Sequence, residues 1–218
     1  MPGLNIRIAP PDIVKPEILA APAADSKRWD SPYDNFGLQP LVSVFVTRQA
    51  YIWISVHACK ADVEVGGVLV GHWCEDETTG GQFIVVRHAL PARHTRQGSV
   101  YLTFTQDTLI DLHEQIENRF EGERIVGWFH THPRMGVFLS HYDTFLHGNF
   151  FPEPWQVALV VEPFSSVAGF FIRQQGGVLD PTRYFGFHEM NGNGGPSVVR
   201  WQNLQRVETE PEGGTPHE

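Results

Sequence analysis

The sequence predicts an α/β (α+β) domain, and three observations carry that expectation. Short runs rich in β-branched and aromatic residues recur at 41–46, 62–71, 82–90, 124–129, 155–163 and 168–173, each about the length of a strand. Between them, residues 48–61 and 105–119 place apolar side chains at helical spacing. Of the 218 residues, 41% are apolar and 12% aromatic, enough to build a sizeable core in one domain of ordinary size plus extensions.

Taken in order, residues 1–40 hold seven of the chain's 16 prolines. Proline fixes φ and removes a hydrogen-bond donor, so regular helix and central strand are not expected there. The reading is a Pro-rich N-terminal arm, extended or wrapped on the domain, with Trp29, Tyr33 and Phe36 pinning its second half. A partner-binding tail is the functional alternative. The domain proper is expected over 41–205. Residues 41–46 read as a short strand, and 48–61 as a helix with Tyr51, Ile54, His57 and Ala58 on one stripe. The strand at 62–71 contains paired glycines, which mark close approach of another backbone. A polar turn at 74–81 leads to its hairpin partner at 82–90. After an Arg- and His-rich loop at 91–98 and a short strand at 99–104, Thr105 caps a helix to about residue 119. Its stripe of Leu109, Leu112, Ile116 and Phe120 belongs to the core. The continuous apolar run 155–163 has the pattern of a strand buried on both faces. A turn at 163–166 separates it from 168–173. Residues 184–190 and 198–204 read as peripheral elements, and 206–218 as a disordered polar tail.

Acidic residues outnumber basic ones 25 to 16, for a net charge of −9. Such a chain repels phosphate backbones, which makes nucleic acid a poor partner. The two cysteines, Cys59 and Cys74, form neither a disulfide framework nor a Cys-rich metal module. They read as free thiols in a reducing compartment. The N-terminus lacks a basic n-region and a continuous apolar stretch, and no run approaches the ~20 apolar residues of a membrane span. The expectation is a cytoplasmic protein with no membrane partner.

The chemistry concentrates in residues 124–143. A strand opens at Arg124, and its alternation points His130 and His132 the same way. Pro133 and Gly136 then turn the chain. A helix restarts at Ser140, with Ser140 and Asp143 one turn apart on one face. Two imidazoles and a carboxylate converging on one point supply three ligands and leave a fourth position open, as a catalytic zinc site requires. Each half alone has an ordinary reading. His-x-His on a strand is usually a pair of partly exposed histidines, and Ser140 to Asp143 has the form of a capping box. His88 and His94 lie outside the motif. His147, one helical turn beyond Asp143, is either a partner of that carboxylate or, more ordinarily, a solvated histidine. Glu64 taken alone is an exposed carboxylate at a strand end.

The full spacing is far more specific than either half: His-x-His-Pro at 130–133, six residues, Ser140, two residues, Asp143. It resembles the signature of the JAMM (MPN-plus) metalloproteases. Glu64 and the glycine-punctuated segment 65–71 resemble that family's upstream stretch, and the resemblance covers roughly residues 41–175. It implies a mixed, curved β-sheet flanked by helices, similar to the cytidine deaminases. It also implies one Zn2+ per chain held by His130, His132 and Asp143. Glu64 would serve as general base and then acid, and Ser140 would donate to the developing oxyanion. No covalent intermediate is needed, so neither cysteine is a nucleophile candidate. The implied activity is an isopeptidase that cuts after the C-terminal Gly-Gly of a ubiquitin-like protein. Its partners would be that protein, its conjugates, and the activating and conjugating enzymes of the same pathway. A bacterial conjugation system, used in antiviral defence, is the implied setting. The alternatives are a protease trimming a ubiquitin-like or sulfur-carrier precursor, and a non-catalytic scaffold that binds no metal. The short stretches 71–83 and 143–155 suggest a compact, prokaryotic-type member without a dedicated diubiquitin grip. The substrate tail is expected to add as a strand along residues 65–71.

Overall fold

The computed structural model describes residues 14–37, 39–59, 62–92, 106–191 and 195–207. Its strands are β1 (Glu17–Leu19), β2 (Ser26–Asp30), β3 (Ser43–Thr47), β4 (Gly66–Asp76), β5 (Gln82–Pro91), β6 (Arg124–Thr131), β7 (Val157–Glu162), β8 (Val167–Phe171), β9 (Phe187–Met190) and β10 (Gln205–Arg206). Its helices are α1 (Arg48–Ala58), α2 (Gln106–Arg119) and α3 (His141–Phe150). The strands form one sheet in the order β10-β2-β9-β3-β5-β4-β6-β7-β8, with β1 paired to β4 off that path. The β3/β5, β3/β9, β6/β7 and β1/β4 pairs are parallel and the rest antiparallel. The mixed α/β architecture expected from the sequence is the one the chain adopts.

Strand alternation sorts the core onto two faces. Leu69, Phe129, Leu159 and Phe170 turn toward α1, where they meet Tyr51 and Ile54. Their neighbours Val68, Val70, Trp128, Val160 and Phe171 turn to the other face, under Leu112 and Ile116 of α2 and Leu146 of α3. Every residue of β7 is buried, which is why its sequence reads as an unbroken apolar run. Among the described residues, no helix is long and apolar enough to cross a membrane.

Several expectations need correction. The arm is not free of regular strand. β1 pairs with residues 74–76 of β4, and β2 lies between β9 and β10. The segment forming β2 contains no proline, so Pro22 and Pro32 bracket the strand without interrupting it. Tyr33 packs edge-on against Tyr184 at 5.1 Å, but Phe36 is 65% exposed and pins nothing. β4 starts at Gly66 and runs on to Asp76, shortening the turn after it. Residues 198–204 are not peripheral: Val199, Trp201 and Leu204 are buried in the α1-side core without forming a strand. The proposed strand 99–104, Thr105, His94 and the 208–218 part of the tail lie outside the described residues, as does the side chain of Leu109.

The glycines of β4 mark a close backbone approach, as expected, but the neighbour is a strand of the same sheet and not a substrate. A Cβ on Gly67 or Gly71 would collide with the carbonyl oxygen of Leu90 or Val85 on β5. They allow two strands of the same sheet to approach, and leave no channel for a substrate. Over Gly66–Gly71, β4 pairs with β5 on one edge and β6 on the other. Neither edge is open, so a peptide cannot add as a strand there.

Candidate metal centre and active site

β6 delivers the histidines. Alternation puts His130 on the same face as Trp128, turned toward α3, and His132 follows two residues later just past the strand end. The backbone around them is tied on both sides. Thr131 N–H donates to the Val65 carbonyl at 2.8 Å, and Val65 N–H donates to Thr131 Oγ1 at 2.9 Å. His132 N–H donates to the Val161 carbonyl at 2.9 Å. The half-buried Glu64 precedes Val65, so its segment is held directly alongside the histidine strand.

α3 delivers the carboxylate. Ser140 is its N-cap, accepting the Asp143 N–H on Oγ at 3.2 Å, while Asp143 Oδ2 accepts the Ser140 N–H at 2.7 Å. This is the reciprocal capping box that the sequence suggests. The box fixes the Asp143 side chain at the first turn, where the helix dipole favours negative charge. Capping and site-building are thus the same contact. The serine bond uses an oxygen lone pair and leaves its hydroxyl proton available.

His130, His132 and Asp143 converge, each buried, with ligand atoms all within 4.8 Å of one another. His130 Nε2 lies 2.8 Å from His132 Nε2 and 3.3 Å from Asp143 Oδ1. His132 Nε2 lies 3.5 Å from Asp143 Oδ2. Bonds of about 2.0–2.1 Å would hold tetrahedral zinc ligands roughly 3.4 Å apart. Both imidazole–carboxylate separations match that spacing, and the two nitrogens sit somewhat closer. Burial pushes His130 below the usual imidazole range, against the opposing hydrogen bond and charge of Asp143. Burial would raise Asp143, but hydrogen bonds from His130 and His132 outweigh it and hold the carboxyl far below the usual carboxylate range. A neutral imidazole and an ionised carboxylate are the forms in which these groups bind metal, so the residues fit a zinc ion.

Behind the ligands stands an aromatic column that the sequence reading missed. The Trp128 indole stacks on His130 at 4.6 Å between centroids and 12° between planes, and on Phe151 at 5.8 Å. Its Nε1–H donates to His147 Nδ1 at 3.1 Å. His147 is therefore buried, not solvated, and its hydrogen-bond partner is Trp128. Burial, then the charge of Arg173, pushes its pKa down to about 3. The available signal was alternation, since Trp128 is two residues before His130 on the same strand face. His88 belongs to another cluster, 3.3 Å from Glu123 and with its ring tilted against Phe120 at 4.2 Å. Both cysteines are free; Cys74 is buried, and burial raises its thiol to about 11. Cys59 is exposed on α1's C-terminal cap.

The family described as JAB1/Mov34/MPN/PAD-1 ubiquitin protease matches residues 41–150, half of the chain, including Glu64 and the whole His130–Asp143 stretch. The chain belongs to this family. Among curated relatives of similar sequence, this chain is 31% identical over 141 residues to 26S proteasome regulatory subunit rpn11 of Schizosaccharomyces pombe, covering 61% of this chain and 44% of that one. It is 28% identical over 154 residues to COP9 signalosome complex subunit 5 of Candida albicans, covering 66% and 23%. It is 31% identical over 109 residues to NAD(+) hydrolase TcpA of a Theionarchaea archaeon, covering 50% and 30%. The chain thus spans less than half the length of each of these relatives. A solution structure of protein DSY2949 from Desulfitobacterium hafniense overlaps 64% of this chain and 91% of its own, at 21% identity and a TM-score of 0.47.

Proposed function

We propose that this JAB-family domain is a zinc-dependent isopeptidase that releases a ubiquitin-like protein by cleaving after its C-terminal Gly-Gly. The observation that carries the reading is the buried convergence of His130, His132 and Asp143, with Ser140 capping the helix that supplies the carboxylate. The family's description as a ubiquitin protease supports the substrate class.

In this reading His130, His132 and Asp143 hold one zinc per chain. When bound, zinc lowers the pKa of its water to about 7 and polarises the scissile carbonyl. Glu64 accepts the proton of the attacking water and returns it to the leaving amine, so one carboxylate acts as base and then acid. The Ser140 hydroxyl donates to the oxygen that gains charge as the carbonyl is attacked. The raised pKa of Cys74 and the absence of either thiol from the ligand cluster agree with direct hydrolysis. A cytoplasmic ubiquitin-like conjugation pathway is the setting we infer, with the conjugates and the enzymes that make them as partners.

The test has two parts. Purified protein is dialysed, analysed for metal, and offered a ubiquitin-like protein fused to a reporter through Gly-Gly, with or without a change of the last glycine to leucine. The expected result is one zinc per chain and cleavage of the glycine fusion alone, at the bond after Gly-Gly. Equal cleavage of both fusions, or cleavage elsewhere by mass spectrometry, argues for a general metallopeptidase. A protein that takes up no zinc is the non-catalytic scaffold.

A further inference from the structure

The chain leaves the metal site through a turn that its sequence should disfavour. His132 C=O accepts the Met135 N–H at 3.2 Å, closing a turn over Pro133 and Arg134. Arg134 has φ 61°, in the left-handed region. Proline followed by a left-handed residue is the type II pattern, whose third position normally takes glycine or asparagine. An arginine there costs about 1–2 kcal/mol and persists only where its surroundings hold it.

What holds it is Glu162, the last residue of β7 and 1% exposed. Its carboxylate accepts three backbone N–H groups: Arg134 at 3.0 Å, Phe164 at 2.8 Å and Ser165 at 2.7 Å. Two of these close its own β7–β8 turn, and the third reaches across to the turn after His132. The Arg134 guanidinium then lies 3.6 Å over the Phe164 ring and 3.2 Å from Asp62 Oδ1. Asp62 is two residues before Glu64. The Glu64 segment is therefore tied to the histidine strand at Val65 by Thr131, and at Asp62 by Arg134.

We propose that Glu162 and Arg134 are positioning residues: Glu162 fixes the left-handed turn behind His132, and the Arg134 side chain carries that turn to Asp62 and sets Glu64 over the metal site. This rests on the isopeptidase reading, in which Glu64 must meet a water bound at that site. The Asp62–Arg134 pair is solvent-exposed, so it contributes little to overall stability. Its effect is on placement, where an error of about 1 Å can cost up to about 10²-fold in rate.

The test separates placement from folding. Arg134→Gly relieves the left-handed strain while removing the side chain, so its melting temperature should not fall. Its zinc affinity, measured by titrating zinc against a chromogenic chelator, should stay within about twofold of wild type. Amide exchange across residues 62–65 should rise about two- to fivefold, the most an exposed pair supports. On a fluorogenic peptide ending in Gly-Gly, kcat should fall about tenfold at unchanged KM. Asp62→Asn should give the same phenotype, the double variant should be no worse, and Arg134→Lys should restore part of the loss. Glu162→Ala, which removes the acceptor of all three N–H groups, should weaken zinc binding several-fold by loosening the turn behind His132; if it fails to fold, the Arg134 and Asp62 variants decide. Unchanged exchange at 62–65 in Arg134→Gly overturns the inference, as does additivity of the two single variants. If wild type binds zinc but cleaves nothing, the isopeptidase reading falls, and the exchange measurement still decides this one.

Discussion

The indole N–H of Trp128 donates to Nδ1 of His147 across 3.1 Å, with both residues fully buried behind the candidate metal site. The same indole stacks on His130, so the pair fixes the plane of a candidate ligand. Replacing His147 by Leu leaves that N–H without its acceptor in the core, which costs about 1–3 kcal/mol. Urea denaturation of metal-free protein should show the loss as a lower midpoint at constant slope. A Leu variant as stable as wild type would show that the hydrogen bond contributes nothing.

How much of this was legible beforehand differs from element to element. The strands β3, β5, β6, β7 and β8, both named helical stretches and the convergence of His130, His132 and Asp143 follow from short-range pattern: alternation, helical spacing and a capping box. β2 was not legible, because Ser26–Asp30 is polar, with Trp29 its one large apolar residue, and it gains its place by pairing with β9 some 160 residues later. Val199, Trp201 and Leu204 enter the core without regular structure to announce them. His147 lies on a helix face whose exposure depends on which strand passes beneath it. Glu162 reads as the polar end of an apolar strand, and its three N–H partners come from two separate turns.

The ligand assignment predicts separable losses. His130→Ala removes a ligand and should abolish stoichiometric zinc while leaving α3 capped. Asp143→Asn keeps an oxygen for the Ser140 N–H but removes the charge, so it should weaken zinc binding with only a small fall in helix stability. Metal analysis after mild dialysis, beside circular dichroism, checks both. Full zinc occupancy in His130→Ala would rule out that ligand.

The two proposed catalytic side chains should behave differently. Glu64→Gln is expected to keep fold and zinc while losing about 10²–10⁴-fold in kcat, the range for a positioned general base. Ser140→Ala should lose about 10²–10³-fold, as for one oxyanion donor. It should also cost about 1 kcal/mol of stability, because the Asp143 N–H loses its cap. The backbone half of the box survives, since alanine still offers its N–H to Asp143. Fusion cleavage and thermal melts on zinc-loaded protein distinguish these outcomes. A Glu64→Gln variant that is fully active with full zinc occupancy would remove that residue from the mechanism.

Stability should depend on pH through buried His147 and half-buried His188, alongside His130, whose pKa burial also lowers. Burial, followed by the Arg173 charge, pushes His147 down to about 3, and burial, followed by the Arg28 charge, pushes His188 down to about 4, both from an ordinary 6.5. Both folded values lie below the unfolded one, so at low pH the unfolded chain binds protons that the native protein refuses. Their contribution is complete above about pH 6.5 and is lost progressively as pH falls toward 4 and then 3. Carboxylates titrate near 4 in the unfolded chain, so they add little above about pH 5.5. The window from 6.5 to 5.5 therefore reports mainly on histidines. Urea midpoints of metal-free protein should fall across that window. His147→Leu should be less stable than wild type at pH 7.5 yet show a shallower slope toward acid, and His188→Gln should flatten the slope further. Slopes identical to wild type in both variants would mean that neither histidine is held neutral by the fold.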